Sequence, residues 1–113
     1  MGDRANVKVI AYEGDPGVYL YTHCSGDDLP MMIKSALAKK WRWDDGAYLA
    51  RIVFCEMVVG SEQGETGFGI STIPEGTQER TITLNCVTQH VESPFFSGTF
   101  SEYVETDLSP VRW

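Results

Sequence analysis

The stretch RWDDGAYLARIVFCEMVVG, Arg42 to Gly60, decides the class of fold. Taken alone, Ile52 to Val59 has the β-branched content of a buried strand. Its surroundings favour a helix. Asp44 or Asp45 supplies an N-cap, Gly60 supplies a stop, and the run between them is longer than an ordinary strand. Only Arg51 and Glu56 interrupt an apolar surface that runs from Ala47 through Tyr48, Leu49, Ile52, Val53, Phe54, Cys55, Met57 and Val58. A helix apolar nearly all round is expected at the centre of a core.

Working upstream, Leu29, Ile33, Ala36, Leu37 and Trp41 recur at helical spacing. Asp27 or Asp28 is placed to cap this helix, and Pro30 is tolerated in its first turn. Lys34, Lys39 and Lys40 lie toward its C-terminal end, where cations complement the helix dipole. Further back, Val7–Tyr12 and Val18–His23 are two β-rich runs around Glu13-Gly14-Asp15-Pro16-Gly17, the pattern of an antiparallel hairpin. Downstream, Phe68–Ile73 and Thr81–Thr88 read as strands with Pro74-Glu75-Gly76-Thr77 as the turn between them. In the second, Ile82, Leu84 and Cys86 alternate with Thr81, Thr83 and Asn85, as in a half-buried strand. A short strand near His90–Glu92 follows, and Thr99-Phe100-Ser101-Glu102 matches a capping box that opens a short C-terminal helix. The order ββααββ(β)α predicts an α+β fold. Its expected form is an antiparallel sheet with two central helices packed on one face and a short C-terminal helix. One domain is expected over residues 1–113, with 107–113 as a loose tail.

The totals fit this outline. A chain of 113 residues that is 42% hydrophobic and 22% charged is expected to fold without metals or disulfides. No apolar run approaches the roughly 20 residues that span a bilayer, and the first residues hold no signal-peptide core. Gly2 suggests a myristoylation start, but Asn6 stands where that motif needs Ser or Thr. Cys24, Cys55 and Cys86 are odd in number and widely spaced, so reduced thiols in a cytoplasmic protein are expected. The net charge of −7 weighs against a nucleic-acid partner and suits a basic one.

Several phrases resemble a set of small phage and bacterial proteins without an established activity. These are the opening Met-Gly-Asp-Arg-Ala-Asn, Val18-Tyr19-Leu20-Tyr21-Thr22-His23, and Arg42–Arg51 leading into Phe54-Cys55-Glu56-Met57. The resemblance covers about the first half of the chain and carries no catalytic signature. It implies a phage or bacterial setting, with host cytoplasm as the compartment for a phage protein.

Candidate sites are few. His23-Cys24-Ser25-Gly26-Asp27 lies where a strand feeds a helix start, a place where a helix dipole and an imidazole can acidify a thiol. Against this, adjacent strand residues point to opposite faces, and Asp27 and Asp28 cancel the positive helix end. A zinc set from His23, Cys24, Cys86 and His90 fails on spacing, because four residues along a strand span about 13 Å. Neither a metal nor a cofactor is expected. Trp41, Arg42 and Trp43, with Lys39 and Lys40, interleave cations and aromatics, which suits single-stranded nucleic acid. The same residues also suit an interhelix corner, with Trp41 completing the first helix's apolar stripe and Trp43 packing on the second. Arg51 and Glu56, five apart, do not face each other, so each needs solvent or a partner from another element, either as a structural ion pair or as an Arg–carboxylate group lining a pocket.

The expected function is a non-enzymatic protein-binding or regulatory module that modulates host machinery. The exposed-type aromatics Tyr19, Tyr21, Phe95, Phe96 and Trp113 carry that expectation, and a homodimer burying a sheet face is compatible with it. The alternatives are a small hydrolase or transferase using the His23–Cys24–Asp27 corner, and nucleic-acid contact through Trp41 and Trp43.

Overall fold

The computed structural model describes residues 3–76, 78–109 and 113, and not the side chain of Gln78. Met1 and Gly2 of the opening phrase, Thr77 of the expected turn and residues 110–112 of the tail lie outside the described residues. Among those described, three α-helices and a six-stranded sheet form a mixed α and β architecture.

β1 (Ala5–Ile10) and β2 (Val18–Thr22) pair antiparallel as the turn residues between them predict. The Asp15 carboxylate accepts from the Ala11 and Gly17 amides at 2.7 and 2.9 Å, and Gly17 takes a positive φ of 89°. Those two amide bonds, Ala11's first, outweigh the small burial of Asp15 and hold its carboxyl below the usual carboxylate range.

α1 (Leu29–Ala38) does not start on an aspartate side-chain cap. A single 3₁₀ turn, Gly26–Asp28, leads into it, and Asp28 already has helical dihedrals, so its carboxylate cannot reach back to the first amides. α2 (Gly46–Met57) is capped by Asp45, which accepts from the Tyr48 amide at 3.2 Å. A Cβ on Gly46 would lie 2.4 Å from that of Ala11, so only glycine lets this helix start press on the end of β1.

The expected antiparallel sheet is corrected at its centre. With β3 (Phe68–Ser71), β4 (Thr81–Asn85), β5 (His90–Glu92) and β6 (Ser97–Thr99), the strand order is β3-β2-β1-β4-β5-β6, and β1 pairs parallel with β4. Pro74-Glu75-Gly76 is therefore not a hairpin turn. It belongs to a connection that carries the chain past β2 and β1. A parallel pair cannot be closed by a tight turn, so the connection needs its own anchor. Asn6 supplies it: its side-chain amide donates to the Glu75 carbonyl at 2.8 Å and its oxygen accepts from the Glu75 amide at 3.2 Å. Asn6 is wholly buried beneath this contact.

Ala5, Val7, Val9, Leu20, Ile82, Leu84 and Val91 share one sheet face and pack in a single core with residues of α1, α2 and α3 (Phe100–Glu105). α2 crosses β1 and β2, α3 lies against β5 and β6, and α1 packs between the two helices. α3 has the expected capping box, with reciprocal bonds of 3.0 and 2.7 Å between Thr99 and Glu102. Its Tyr103 is buried and donates to the Pro30 carbonyl at 2.9 Å, and burial pushes the phenol well above its ordinary range. The tail is held where it is described. Leu108 is buried, and the Trp113 indole donates to the Gly26 carbonyl at 3.2 Å.

Trp43 packs, though on α3 and α1 rather than on the second helix, and Trp41 leaves the stripe expected for it. Trp43 turns inward, packing edge-on to Phe100 with ring centroids 5.5 Å apart and donating to the Leu37 carbonyl at 3.1 Å. Trp41 points outward, 59% exposed. Lys40 and Arg42, on either side of it, both take positive φ (60° and 58°), and these left-handed steps reverse the helical sense that would have laid Trp41 on the core.

Candidate functional site

α2 is apolar on two sides, and only one is covered. Leu49, Val53 and Met57 are buried against the sheet. Tyr48, Ile52, Cys55 and Val59 follow one another at intervals of four, three and four residues along the opposite side. Tyr48 is 53% and Val59 69% exposed. The expectation that the whole helix would be central is thus met by one flank only.

The corner from Lys39 to Arg42 folds over that outer side and makes a groove of about 720 Å³. The Lys39 ammonium stands 5.5 Å from the Trp41 ring centroid and 3.5 Å from the Glu56 carboxylate. The Arg42 guanidinium lies 5.0 Å from the Tyr48 ring. Arg51 completes the rim. Three cations against one carboxylate make the groove locally positive by two charges, on a chain whose total is −7. Among the described residues, neither Arg42 nor Arg51 enters an ion pair, although acidic side chains outnumber basic ones. The groove can therefore do two things. It offers aromatic and aliphatic surface to an apolar group, and it offers guanidinium forks to a carboxylate beside that group.

Of the residues singled out from sequence, Trp41, Arg42, Arg51 and Glu56 come together here, and Trp43 does not. The partner from another element that Glu56 needs is Lys39. Tyr48, Ile52, Cys55 and Val59 were not anticipated as groove residues. Their four-three-four spacing was visible, but an apolar stripe carries no mark of whether anything packs on it.

The His23, Cys24 and Asp27 corner is arranged differently. His23 Nδ1 lies 3.2 Å from the Tyr21 hydroxyl, Cys24 Sγ lies 3.8 Å from the Ser25 hydroxyl, and the Asp27 carboxylate accepts from Arg80 at 2.8 Å. Each of the three is engaged with a residue outside the trio. Arg80 also binds Asp3, and its guanidinium lies 5.0 Å from the Trp113 ring, so Asp27 belongs to a clamp between the chain's two ends. Burial raises the Asp3 pKa, but the Asp27 amide and the hydrogen bond and charge of Arg80 together outweigh it and hold Asp3 low. Cys86 and His90 do not converge. Cys86 is buried, its thiol pushed up to about 11 by desolvation and by Asp45 and Asp44, whereas His90 is exposed with Nδ1 2.8 Å from the Thr88 carbonyl. Among the described residues, no group of three or more His, Cys, Asp or Glu is placed to hold a metal ion. No helix among them is long and apolar enough to cross a membrane.

No family model matches the chain, and no curated protein or solved structure matches it.

Proposed function

We propose that this chain is a non-enzymatic binding protein whose outer α2 groove takes an apolar segment of a partner protein that carries carboxylates beside its apolar residues. One observation carries the proposal: exposed Trp41, Tyr48 and Val59 line one groove with two arginines that enter no ion pair among the described residues. Aromatic and arginine residues in a partly desolvated recess are the usual energetic centres of protein interfaces. The resemblance to small phage and bacterial proteins suggests bacterial cytoplasm as the setting and a host protein as the partner.

A protein ligand suits the groove better than nucleic acid. A polyphosphate would face two arginines outside any ion pair among the described residues and a Lys39 already shared with Glu56, on a chain whose total charge repels it. A short acidic segment meets the local charge without approaching the rest of the surface.

The test is affinity capture with the full chain as bait, compared across variants. Trp41→Ala and Arg51→Glu are expected to weaken capture at least about tenfold, the scale of a hot-spot truncation. Tyr12→Glu changes an aromatic just as exposed but outside the groove, and is expected to leave capture unchanged. Equal capture by all four proteins would defeat the proposal. Retention of oligonucleotides that weakens steeply with salt would favour the nucleic-acid alternative instead.

A further inference from the structure

The two edges of the sheet are treated differently. β6 has three residues and is shielded. Its Thr99 amide is taken by the Glu102 carboxylate, its Ser97 hydroxyl binds Glu92, and a Cβ on Gly98 would meet Glu102 at 2.7 Å and Phe96 at 3.0 Å. β3, Phe68-Gly69-Ile70-Ser71, has none of the devices that blunt an edge: no charge, no proline and no covering side chain over Gly69, whose Cβ position has open space around it.

The register fixes which backbone groups are free. The His23 amide donates to the Gly67 carbonyl at 2.8 Å, and the pairing continues as Tyr21 with Gly69 and Tyr19 with Ser71. In an antiparallel ladder the intervening residues turn their amide and carbonyl groups the other way, so Phe68 and Ile70 direct theirs outward. The helical layer stops short of the same edge. α2 covers β1 and β2, leaving Ile70 62% exposed beside a recess of about 250 Å³ bordered by Val18, Phe54 and Arg51.

We propose that this edge pairs with the same edge of a second copy of the chain, antiparallel and centred on Gly69, which joins the two sheets into one of twelve strands. The sequence of β3 is self-complementary in that register. Phe68 of each copy pairs with Ile70 of the other through the outward amides, and glycine faces glycine at the two-fold axis. Each exposed Ile70 is covered by an aromatic ring, and no like charges meet along the strands. Charge complementarity also selects a second copy. The polar loop before β3 carries Glu62 and Glu65, both exposed and outside any ion pair among the described residues. It sits at the C-terminal end of α2, beside Phe54 and Val58. A two-fold axis at Gly69 carries that loop to the N-terminal half of the other copy's α2, where Arg51 enters no ion pair among the described residues. The pairing is separate from the groove that Trp41 caps, although Arg51 borders both.

The experiment is sedimentation velocity on the full chain from about 1 μM to about 1 mM, the range that covers moderate to weak association, with amide hydrogen exchange read at Phe68 and Ile70. A monomer–dimer equilibrium is expected, with both amides exchanging at least about tenfold more slowly at the dimer end. Ile70→Lys is expected to raise the dimer Kd by at least about tenfold, since a charge on an edge strand opposes pairing. Arg51→Glu weakens the dimer too, and adding Glu65→Arg in the same chain restores it. That rescue does not depend on Ile70→Lys remaining folded, and a merely structural role for Arg51 would not produce it. Trp41→Ala leaves the dimer unchanged, so loss of partner capture and loss of dimer are read separately. A monomer at every concentration overturns the proposal. So does a dimer indifferent to both Ile70→Lys and the charge swap, or protection of the two amides by added extended peptide alone.

Discussion

The two sides of α2 are made of similar residues and have opposite fates. Leu49, Val53 and Met57 face the sheet and are buried, whereas Tyr48, Ile52, Cys55 and Val59 face outward along a groove. The same division separates two tryptophans only two positions apart, Trp43 against Phe100 and Trp41 in the open. What differs is the neighbouring layer. A third helix would be needed beyond α2 to cover its outer side, and this chain places α1 and α3 on the opposite flank. Apolar patterning thus marks surface that has to be covered, and topology determines whether the same chain covers it.

The contrast can be broken most directly by truncation. Leu49→Ala is expected to cost about 2–5 kcal/mol by urea unfolding, the range for emptying a packed core site. Tyr48→Ala on the outer side should stay within about 0.5 kcal/mol. Comparable losses at both positions would mean that the outer side is not a separate surface. The tryptophans provide the next test. Trp43→Ala should cost about 2 kcal/mol, less than a fully buried aromatic because Trp43 is half-buried, while Trp41→Ala should leave the unfolding midpoint nearly in place.

The cysteines extend the comparison to pH. Burial raises the Cys86 thiol from 9.0 to about 11, so the folded state holds a proton that the unfolded chain releases sooner. That contribution to stability is complete below about pH 9 and is lost as pH climbs toward 11, and the raised phenol of Tyr103 acts in the same direction at higher pH. The melting temperature of the wild type is expected to fall over that window, and Cys86→Ala to flatten the fall. Identical slopes would remove Cys86 from the account. The smallest effect is optical. At neutral pH, acrylamide should quench Trp41 well before Trp43, and Trp41→Ala should remove most of the readily quenched emission.

How much of this was legible depended on how local the signal was. Asp45 and the Thr99–Glu102 pair announced their helix starts because a cap is written within four residues. The β1–β2 hairpin was legible for the same reason. The parallel pairing of β1 with β4 was not, because Pro74-Glu75-Gly76 has the composition of a hairpin turn and its anchor, Asn6, lies far back in the chain. β6 lacked any β-rich signal, since Ser97-Gly98-Thr99 reads as loop. At the groove, Trp41, Arg42, Arg51 and Glu56 stood out as charges and aromatics that had to find partners. The outward turn of Trp41 had no precursor in the sequence, because left-handed steps at Lys40 and Arg42 fall on residues with no preference for them.

The Asn6–Glu75 anchor also sets a timetable for synthesis. Glu75 follows Asn6 by 69 residues, and a ribosome adding about 5–20 residues per second needs roughly 3 to 14 seconds to make that span. Throughout that interval β1 can hold β2 on one side while its other row of amides and carbonyls, destined for β4, stays open at what will become the middle of the sheet. The nascent chain therefore carries an unpaired row of backbone groups along β1 until β4 leaves the exit tunnel.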